Sequence, residues 1–269
     1  MGKFSGILLA SDFDDTLYDF DHRIPDRNLQ AIRYFTSEGG RFTVSTGRAQ
    51  KSFAPYADMA LINAPVVLSN GATLYDFAAG KAVFESQLPD TALEDLGRLL
   101  RLIPELGAEI YFGEEAYVWN PNDITRRHLA KVGCSYINSS PSEVPRPWMK
   151  AILQQRQELL LRAQQWLLSR YSDRYEAIFS NPNYLEITCK GYNKGGMVER
   201  LAGYLGIAPE HVYCVGDNQN DIPMLERSAI PFAPSNCAPE VREWGAEVLC
   251  HCNDGVIGDI VDILDRIYP

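Results

Sequence analysis

Asp12 and Asp14 stand one residue apart directly after the apolar run Gly6 to Ser11, the first place in the chain where side chains are spaced for chemistry. Two carboxylates at i and i+2 beyond a strand can converge on one hard cation, which takes oxygen ligands. A carboxylate can also attack phosphorus and form an aspartyl-phosphate, dividing a hydrolysis into two easier steps. A calcium-type acidic loop or a solvated turn is the competing explanation. A second acidic loop, Gly216 to Asp221 (GDNQND), follows another apolar strand and opens a helix, where an Asp is often only a cap. Two such loops, each at a strand end and far apart in the chain, are hard to explain as separate caps. Together they describe a divalent-metal site built from both halves of one sheet.

Positive and neutral donors occur at comparable places. Thr46-Gly47-Arg48 follows a second apolar strand. A hydroxyl and exposed amides at such a turn suit a phosphate oxygen, and Arg48 can grip a phosphate or a carboxylate with two parallel hydrogen bonds. Lys194, in Asn193-Lys194-Gly195-Gly196, adds an ammonium just before a helix. A lone Lys is more often a solvated surface residue.

These residues need a scaffold that brings strand ends together. Gly6 to Ser11, Arg41 to Ser45 and Pro65 to Leu68 read as short buried strands, and Asp26 to Glu38 as a helix that Gly39-Gly40 ends. Near-continuous apolar strands alternating with helices describe a parallel sheet covered on both faces. In such sheets ligands bind beyond the carboxyl ends of the strands, where both acidic loops fall. The pattern returns with strands at His211 to Val215, Ile230 to Phe232 and Ala246 to Leu249, and helices at Met197 to Leu205, Asp221 to Ser228 and Val256 to Ile267. Between these halves the texture changes. Long amphipathic helices (Ala92 to Ile103, Trp148 to Tyr171) interleave with aromatic, alternating strands such as Glu109 to Trp119. The expectation is an α/β protein with a second α+β domain inserted into the sheet domain.

Composition excludes several classes. A formal charge of −10 argues against a nucleic-acid binder, whose affinity comes largely from Lys and Arg on phosphates. A small anion would need only a local island of positive charge. No apolar run approaches the about 20 residues of a membrane helix, and Met1 to Ala10 lacks the marks of a signal peptide, so a cytoplasmic location is expected. The six cysteines (Cys134, Cys189, Cys214, Cys237, Cys250 and Cys252) include no CxxC pair and are expected as reduced thiols. Cys250-His251-Cys252 is too compact to wrap a tetrahedral ion, and its cysteines are expected as small buried residues of a strand. There is no GxxxxGK[ST] loop, so an ATP-driven motor has no support.

DFDDT, STGR, SNGA (Ser69 to Ala72), NKGG and GDNQND occur in an order and spacing that resembles the haloacid dehalogenase superfamily, and within it the Cof-like subgroup, subclass IIB, of sugar and pyridoxal phosphate phosphatases. The likeness runs the length of the chain. It implies a Rossmann-like core over 1–84 and 188–269 with a large cap over 85–187. It also implies a magnesium-dependent phosphatase acting on a small phosphorylated metabolite. By this resemblance Asp12 is the nucleophile and a metal ligand. Asp14 matches the general acid/base, with its backbone carbonyl also reaching the metal. Thr46 and Lys194 match the groups that hold the phosphoryl, and Asp217 a direct metal ligand. Asp221 and Asn220 look like residues that support the metal shell, while Gly47, Arg48 and Asn70 sit where the family contacts phosphate or substrate. Two positions depart from the pattern: Asp15 and Asn218 stand where Gly is commonest, and Asp15 adds negative charge close to an anionic substrate. A phosphomutase, or a non-catalytic phosphometabolite sensor, is the alternative. The residues that select the substrate match no motif; Trp119, Arg146, Asn181, Asn183 and Tyr184 are candidates. The oligomeric state is not encoded in any pattern of the sequence.

Overall fold

The computed structural model describes residues 2–113, 115–132 and 135–268. Contacts divide the chain into two compact units, one running to Phe84 and resuming at Asn193, the other spanning Glu85–Tyr192. The expected joint at 187/188 falls inside a strand that runs to Cys189.

The first unit begins with β1 (Leu8–Ser11), α1 (Asp26–Ser37), β2 (Arg41–Val44), the short α2 (Gln50–Phe53), β3 (Val66–Leu68), β4 (Thr73–Asp76) and β5 (Lys81–Glu85). Every residue of β1 is buried, which explains its unbroken apolar run. α1 buries Asn28, Ile32 and Phe35. Fully burying an Ile or Phe side chain contributes about 1.5–3 kcal/mol. The buried Asn28 amide is satisfied, accepting from the Ile257 backbone and donating to the Leu17 carbonyl.

The second unit contains α3 (Ala92–Leu102), β6 (Gly107–Phe112), β7 (Glu115–Trp119), α4 (Asp123–Val132), β8 (Tyr136–Asn138), β9 (Lys150–Gln154), α5 (Gln157–Tyr171), β10 (Tyr175–Asn181) and β11 (Tyr184–Cys189). Its sheet has the order β10-β11-β9-β6-β7-β8. Its core joins Leu96, Leu99, Leu160 and Leu167 of the helices to Ile110, Leu153 and Leu185 of the strands. The segment Trp148 to Tyr171, expected as one helix, is instead a buried strand followed by a helix. Five apolar-rich residues fit either element by periodicity. Pairing of β9 with both β11 and β6 decides for the strand, and its Lys150 is neutralised by Glu186 at 3.0 Å. The expected strand Glu109 to Trp119 is a hairpin with Phe112 opposite Glu115.

The chain then returns with α6 (Lys194–Leu205), β12 (Val212–Val215), α7 (Ile222–Leu225), β13 (Pro231–Ala233), α8 (Pro239–Trp244), β14 (Glu247–Val248) and α9 (Val256–Ile267). The five-stranded sheet of the first unit has the order β14-β13-β12-β1-β2, and all four of its pairings are parallel. β3 belongs to a separate sheet with β4 and β5 and meets the main sheet through a single Ser45–Val67 bridge. In this register Ser11 lies opposite both Val44 and Val215. The loops after β1, β2 and β12 therefore start side by side. No helix among the described residues is long and apolar enough to cross a membrane.

Candidate functional site

Asp12 leaves β1 with its amide bonded to the Val215 carbonyl, which seats it against the end of β12. Lys194 reaches the same point from the first turn of α6, 2% exposed, and its Nζ donates to Asp12 Oδ1 at 2.7 Å and to Asp221 Oδ1 at 2.6 Å. Local sequence delivers that lysine. Asn193 caps α6 by accepting from the Gly196 amide at 2.8 Å. A Cβ on Gly195 would lie 1.8 Å from the Pro223 carbonyl oxygen, so only glycine lets the helix start approach the segment that carries Pro223. The other oxygen of Asp221 accepts from the amides of Asp217 and Asn218, both at 3.0 Å. That folds the 216–221 loop back on itself. Gly216 permits this, since a Cβ there would stand 2.4 Å from the Asp221 Cβ. Thr16 Oγ1 donates to Asp217 Oδ1 at 3.2 Å.

Asp12, Asp217 and Asp221 each offer an oxygen within 4.8 Å of the others. Three carboxylates against one ammonium leave a negative surplus in a buried place. Burial, and then the Asp221 charge, raise the Asp12 carboxyl well above the usual range. The same two causes push Asp217 up to about 7. Burial alone would lower Lys194, but Asp12 and Asp221 outweigh it and hold the ammonium firmly protonated. An all-oxygen, electron-rich donor set fits a hard divalent cation. Both oxygens of Asp221 are already engaged, whereas Asp12 and Asp217 retain unused lone pairs.

Asp14 does not join this cluster, contrary to the expectation of a carboxylate pair converging on one ion. Its side chain turns to Arg48, whose Nε and Nη2 donate to Oδ2 and Oδ1 at 2.9 and 2.5 Å. The fork geometry of guanidinium and carboxylate accounts for the choice. The hydrogen bonds to Asp14 hold the Arg48 pKa above its usual value.

Thr46 is buried, and its Oγ1 accepts from the Arg48 amide at 3.1 Å. Asn70 has a left-handed backbone (φ 55°), and its Oδ1 accepts from Asn220 Nδ2 at 2.9 Å. Asn70 Nδ2 is buried with no hydrogen-bond partner. A Cβ on Gly47 would lie 3.2 Å from that nitrogen, so the glycine leaves room beside it. An unsatisfied buried donor costs about 1–3 kcal/mol, a cost that an anionic ligand accepting from it would remove. The sheet register thus brings Asp12, Lys194, Asp217 and Asp221 together, with Asn220 linking them to Asn70, Gly47 and Thr46.

The two departures have different structural readings. Asp15 has φ 60°, the left-handed region that favours glycine and that Asp tolerates better than most residues. Asn236 Nδ2 donates to its carbonyl at 2.8 Å. Asn218 is extended (φ −131°) and caps the following turn, a position that makes no demand for glycine.

Cys250 and Cys252 are not on a strand. β14 ends at Val248, because the Cys250 and Cys252 amides bond to Asp259 and Asn236 side chains instead of a ladder. The five described cysteines are free, and Cys134 lies outside the described residues. Among the described residues the one group of acidic, His or Cys side chains suited to a metal is the Asp12 cluster. Of the specificity candidates, Tyr184 packs on His128, and Asn181 accepts from the Asn183 amide within the turn joining β10 to β11.

Several participants carry no role in the sequence reading. Thr16 and Asn193 lie inside quoted motifs, so their hydroxyl and cap were within reach of local inspection. Tyr18 and Tyr56 stack around Arg48 and had no signal, because ring contacts across loops leave no period in a sequence.

The sequence pattern of the haloacid dehalogenase-like hydrolase family matches residues 9–260. The Bacillus subtilis (strain 168) protein called "Putative phosphatase YxeH" is 29% identical over 248 residues, covering 88% of this chain and 90% of that one. A Yersinia pseudotuberculosis serotype O:1b HMP-PP phosphatase is 26% identical over 242 residues, or 88% of this chain and 86% of that one. The solved structure of the haloacid dehalogenase subclass IIB sugar phosphatase BT4131 superimposes with a TM-score of 0.82 at 19% identity, across 96% of this chain and 99% of that one. That last likeness is one of fold.

Proposed function

The chain belongs to the haloacid dehalogenase-like hydrolases and is a phosphatase, and from that premise we propose that it hydrolyses a small phosphorylated metabolite, of the sugar phosphate or pyridoxal phosphate type, through an aspartyl-phosphate on Asp12. The observation that carries this reading is the buried ammonium of Lys194 held between Asp12 and Asp221. It keeps a carboxylate nucleophile in place and supplies positive charge where a phosphoryl group must arrive.

In the first half-reaction an Asp12 oxygen attacks phosphorus, and the bond from phosphorus to the leaving oxygen breaks. Asp14, entering this step protonated and free of Arg48, gives that oxygen its proton and is left as a carboxylate. In the second half, Asp14 takes a proton from water as the water oxygen attacks phosphorus, releasing phosphate and restoring Asp12. Lys194, the Thr46 hydroxyl and the Asn70 amide are the donors for the phosphoryl oxygens. A magnesium ion held by Asp12 and Asp217, with Asp221 and Asn220 behind them and the Asp14 carbonyl beside them, would neutralise developing charge on those oxygens. The names of the relatives support the substrate class: one is an HMP-PP phosphatase and one a sugar phosphatase.

The deciding experiment is a phosphate-release screen over sugar phosphates, pyridoxal phosphate and nucleotides, with magnesium and with chelator. Release from a small sugar or cofactor phosphate, abolished by chelation, is expected. An isomerised phosphate ester in place of free phosphate would make the protein a phosphomutase, and undiminished release in metal-free protein would remove the metal.

A further inference from the structure

A third loop, residues 234–238, follows β13 and ties the two acidic loops together. Asn236 Nδ2 donates to the Asp15 carbonyl at 2.8 Å, and the Ala238 amide donates to the Asp217 carbonyl at 2.7 Å. Thr16, next to Asp15 and fully buried, donates through Oγ1 to Asp217 Oδ1 at 3.2 Å. These three hydrogen bonds close a circuit that runs from Asn236 through Asp15, Thr16 and Asp217 to Ala238 and back. The Asn236 amide has its orientation fixed from the other side, because its Oδ1 accepts from the Cys252 amide at 3.0 Å. The third loop is itself braced. The Cys237 amide bonds to the Pro234 carbonyl, the Ser235 amide to the Cys250 carbonyl, and Arg242 Nη2 to the Ser235 carbonyl. Asp15 needs such a support, since its φ of 60° is a conformation that a residue with a side chain keeps only where its surroundings hold it. Its amide donates to the Tyr18 carbonyl at 2.8 Å, and its carbonyl accepts from Asn236.

We propose that Asn236 is a positioning residue for the metal site: through this circuit it fixes the gap between residues 12–16 and Asp217, and so favours magnesium over the larger calcium ion. The inference rests on the reading that Asp12 and Asp217 hold a divalent cation. Magnesium demands near-ideal octahedral coordination at short distances, whereas calcium accepts looser and more variable geometries. Ligands on two separate loops meet the stricter demand only when both loops are already in place, because ordering them on binding subtracts from affinity. Asp217 is held at two points of the circuit, its carboxylate by Thr16 and its carbonyl by Ala238. Asn236 joins those points to the turn after Asp14. Its contacts are with the Asp15 carbonyl and the Cys252 amide, so its effect on the cation passes through the backbone.

The readout is metal binding itself, by calorimetric titration of the chelator-stripped full-length protein with magnesium and with calcium, without substrate. Asn236→Ala should raise the magnesium Kd about fivefold, the loss expected for one hydrogen bond, and the calcium Kd by less than about twofold. Asn236→Asp keeps the contact with the Cys252 amide but cannot donate to the Asp15 carbonyl. It should lower the preference for magnesium in the same way, since its added charge attracts both cations alike. Thr16→Val opens the circuit at another point and should also weaken magnesium binding. The double variant with Asn236→Ala should then bind magnesium within about twofold of the weaker single one, because either change alone breaks the circuit. If the unaltered protein binds the cations and the Asn236 variants weaken both equally, or neither, the positioning role is wrong and the metal reading stands. Fully additive losses in the double variant would disconnect Asn236 from Asp217 and overturn the proposal. If the unaltered protein binds neither cation, the metal reading fails and the positioning role falls with it.

Discussion

Lys194 makes two short ion pairs in a place from which water is excluded. Such a group is expensive to lose, because its partners stay behind as buried, uncompensated charges. Lys194→Met should therefore destabilise the protein by about 3 kcal/mol or more in chelator, with magnesium restoring part of the loss. Urea unfolding with and without magnesium checks this, and an unchanged midpoint would mean the carboxylates are held by something else. Asp12→Asn has the opposite signature. The amide keeps the shape of the side chain but cannot attack phosphorus, so turnover should fall by at least about 10³-fold while the melting temperature moves by only a few degrees. A variant retaining more than a small fraction of the rate would point to direct attack by water. Much of this chemistry was legible in the motifs, because carboxylates directly after apolar strands are a local feature. The partner of Asp14 was not, since whether it meets a metal or Arg48 depends on side-chain rotamers set by a loop elsewhere.

Helix α6 shows how one element can contain opposite responses to the same substitution. Gly195 faces the Pro223 carbonyl with no room for a Cβ, whereas Gly203 on the same helix has nothing within 4 Å of that position. Gly195→Ala should cost about 1–3 kcal/mol through overpacking and also lower kcat, because it displaces the helix start that carries Lys194. Gly203→Ala should stabilise by about 0.5–1 kcal/mol through helix propensity and leave kcat unchanged. Paired urea melts and initial rates decide both. Elements with a clear period, such as α1 and α9, appear close to where their apolar spacing puts them. β9 does not, because five residues are too few to distinguish a helical stripe from a buried strand, and only pairing with two neighbours resolves them.

Across the whole molecule, the side chains assigned to phosphoryl transfer all belong to the first unit, which has a hydrophobic core of its own. The second unit likewise has its own core, and we propose that it selects the leaving group. Excising 85–192 and joining Phe84 to Asn193 by a short linker should leave a protein that still cleaves an activated aryl phosphate. It should lose most of its kcat/KM on the physiological ester, since binding energy from the non-reacting part of a substrate enters the rate. Equal losses on the two substrates would make the second unit a scaffold rather than a selector. A change of cation acts on the same reaction from the other side. Calcium in place of magnesium should permit substrate binding but slow turnover, because its looser coordination holds the nucleophile less tightly. Binding and rate measured in parallel would expose any calcium-supported turnover.

By itself the sequence determined the kinds of chemistry available and the places where they leave the sheet. Asp12, Thr46 and Asp217 follow short apolar runs, and a buried strand followed by polar residues is a pattern that neighbouring positions carry alone. Tertiary structure decided who meets whom. The parallel register that sets Ser11 opposite Val44 and Val215 brings three loops to one point. It lets Lys194 stand between Asp12 and Asp221, and leaves the amide nitrogen of Asn70 buried without a partner. It also left Asp14 to Arg48 and the rings around it. Periodicity reports which face of an element is buried, but contacts between distant segments depend on strand order, crossover and rotamer. Those are properties of the folded chain rather than of any stretch within it.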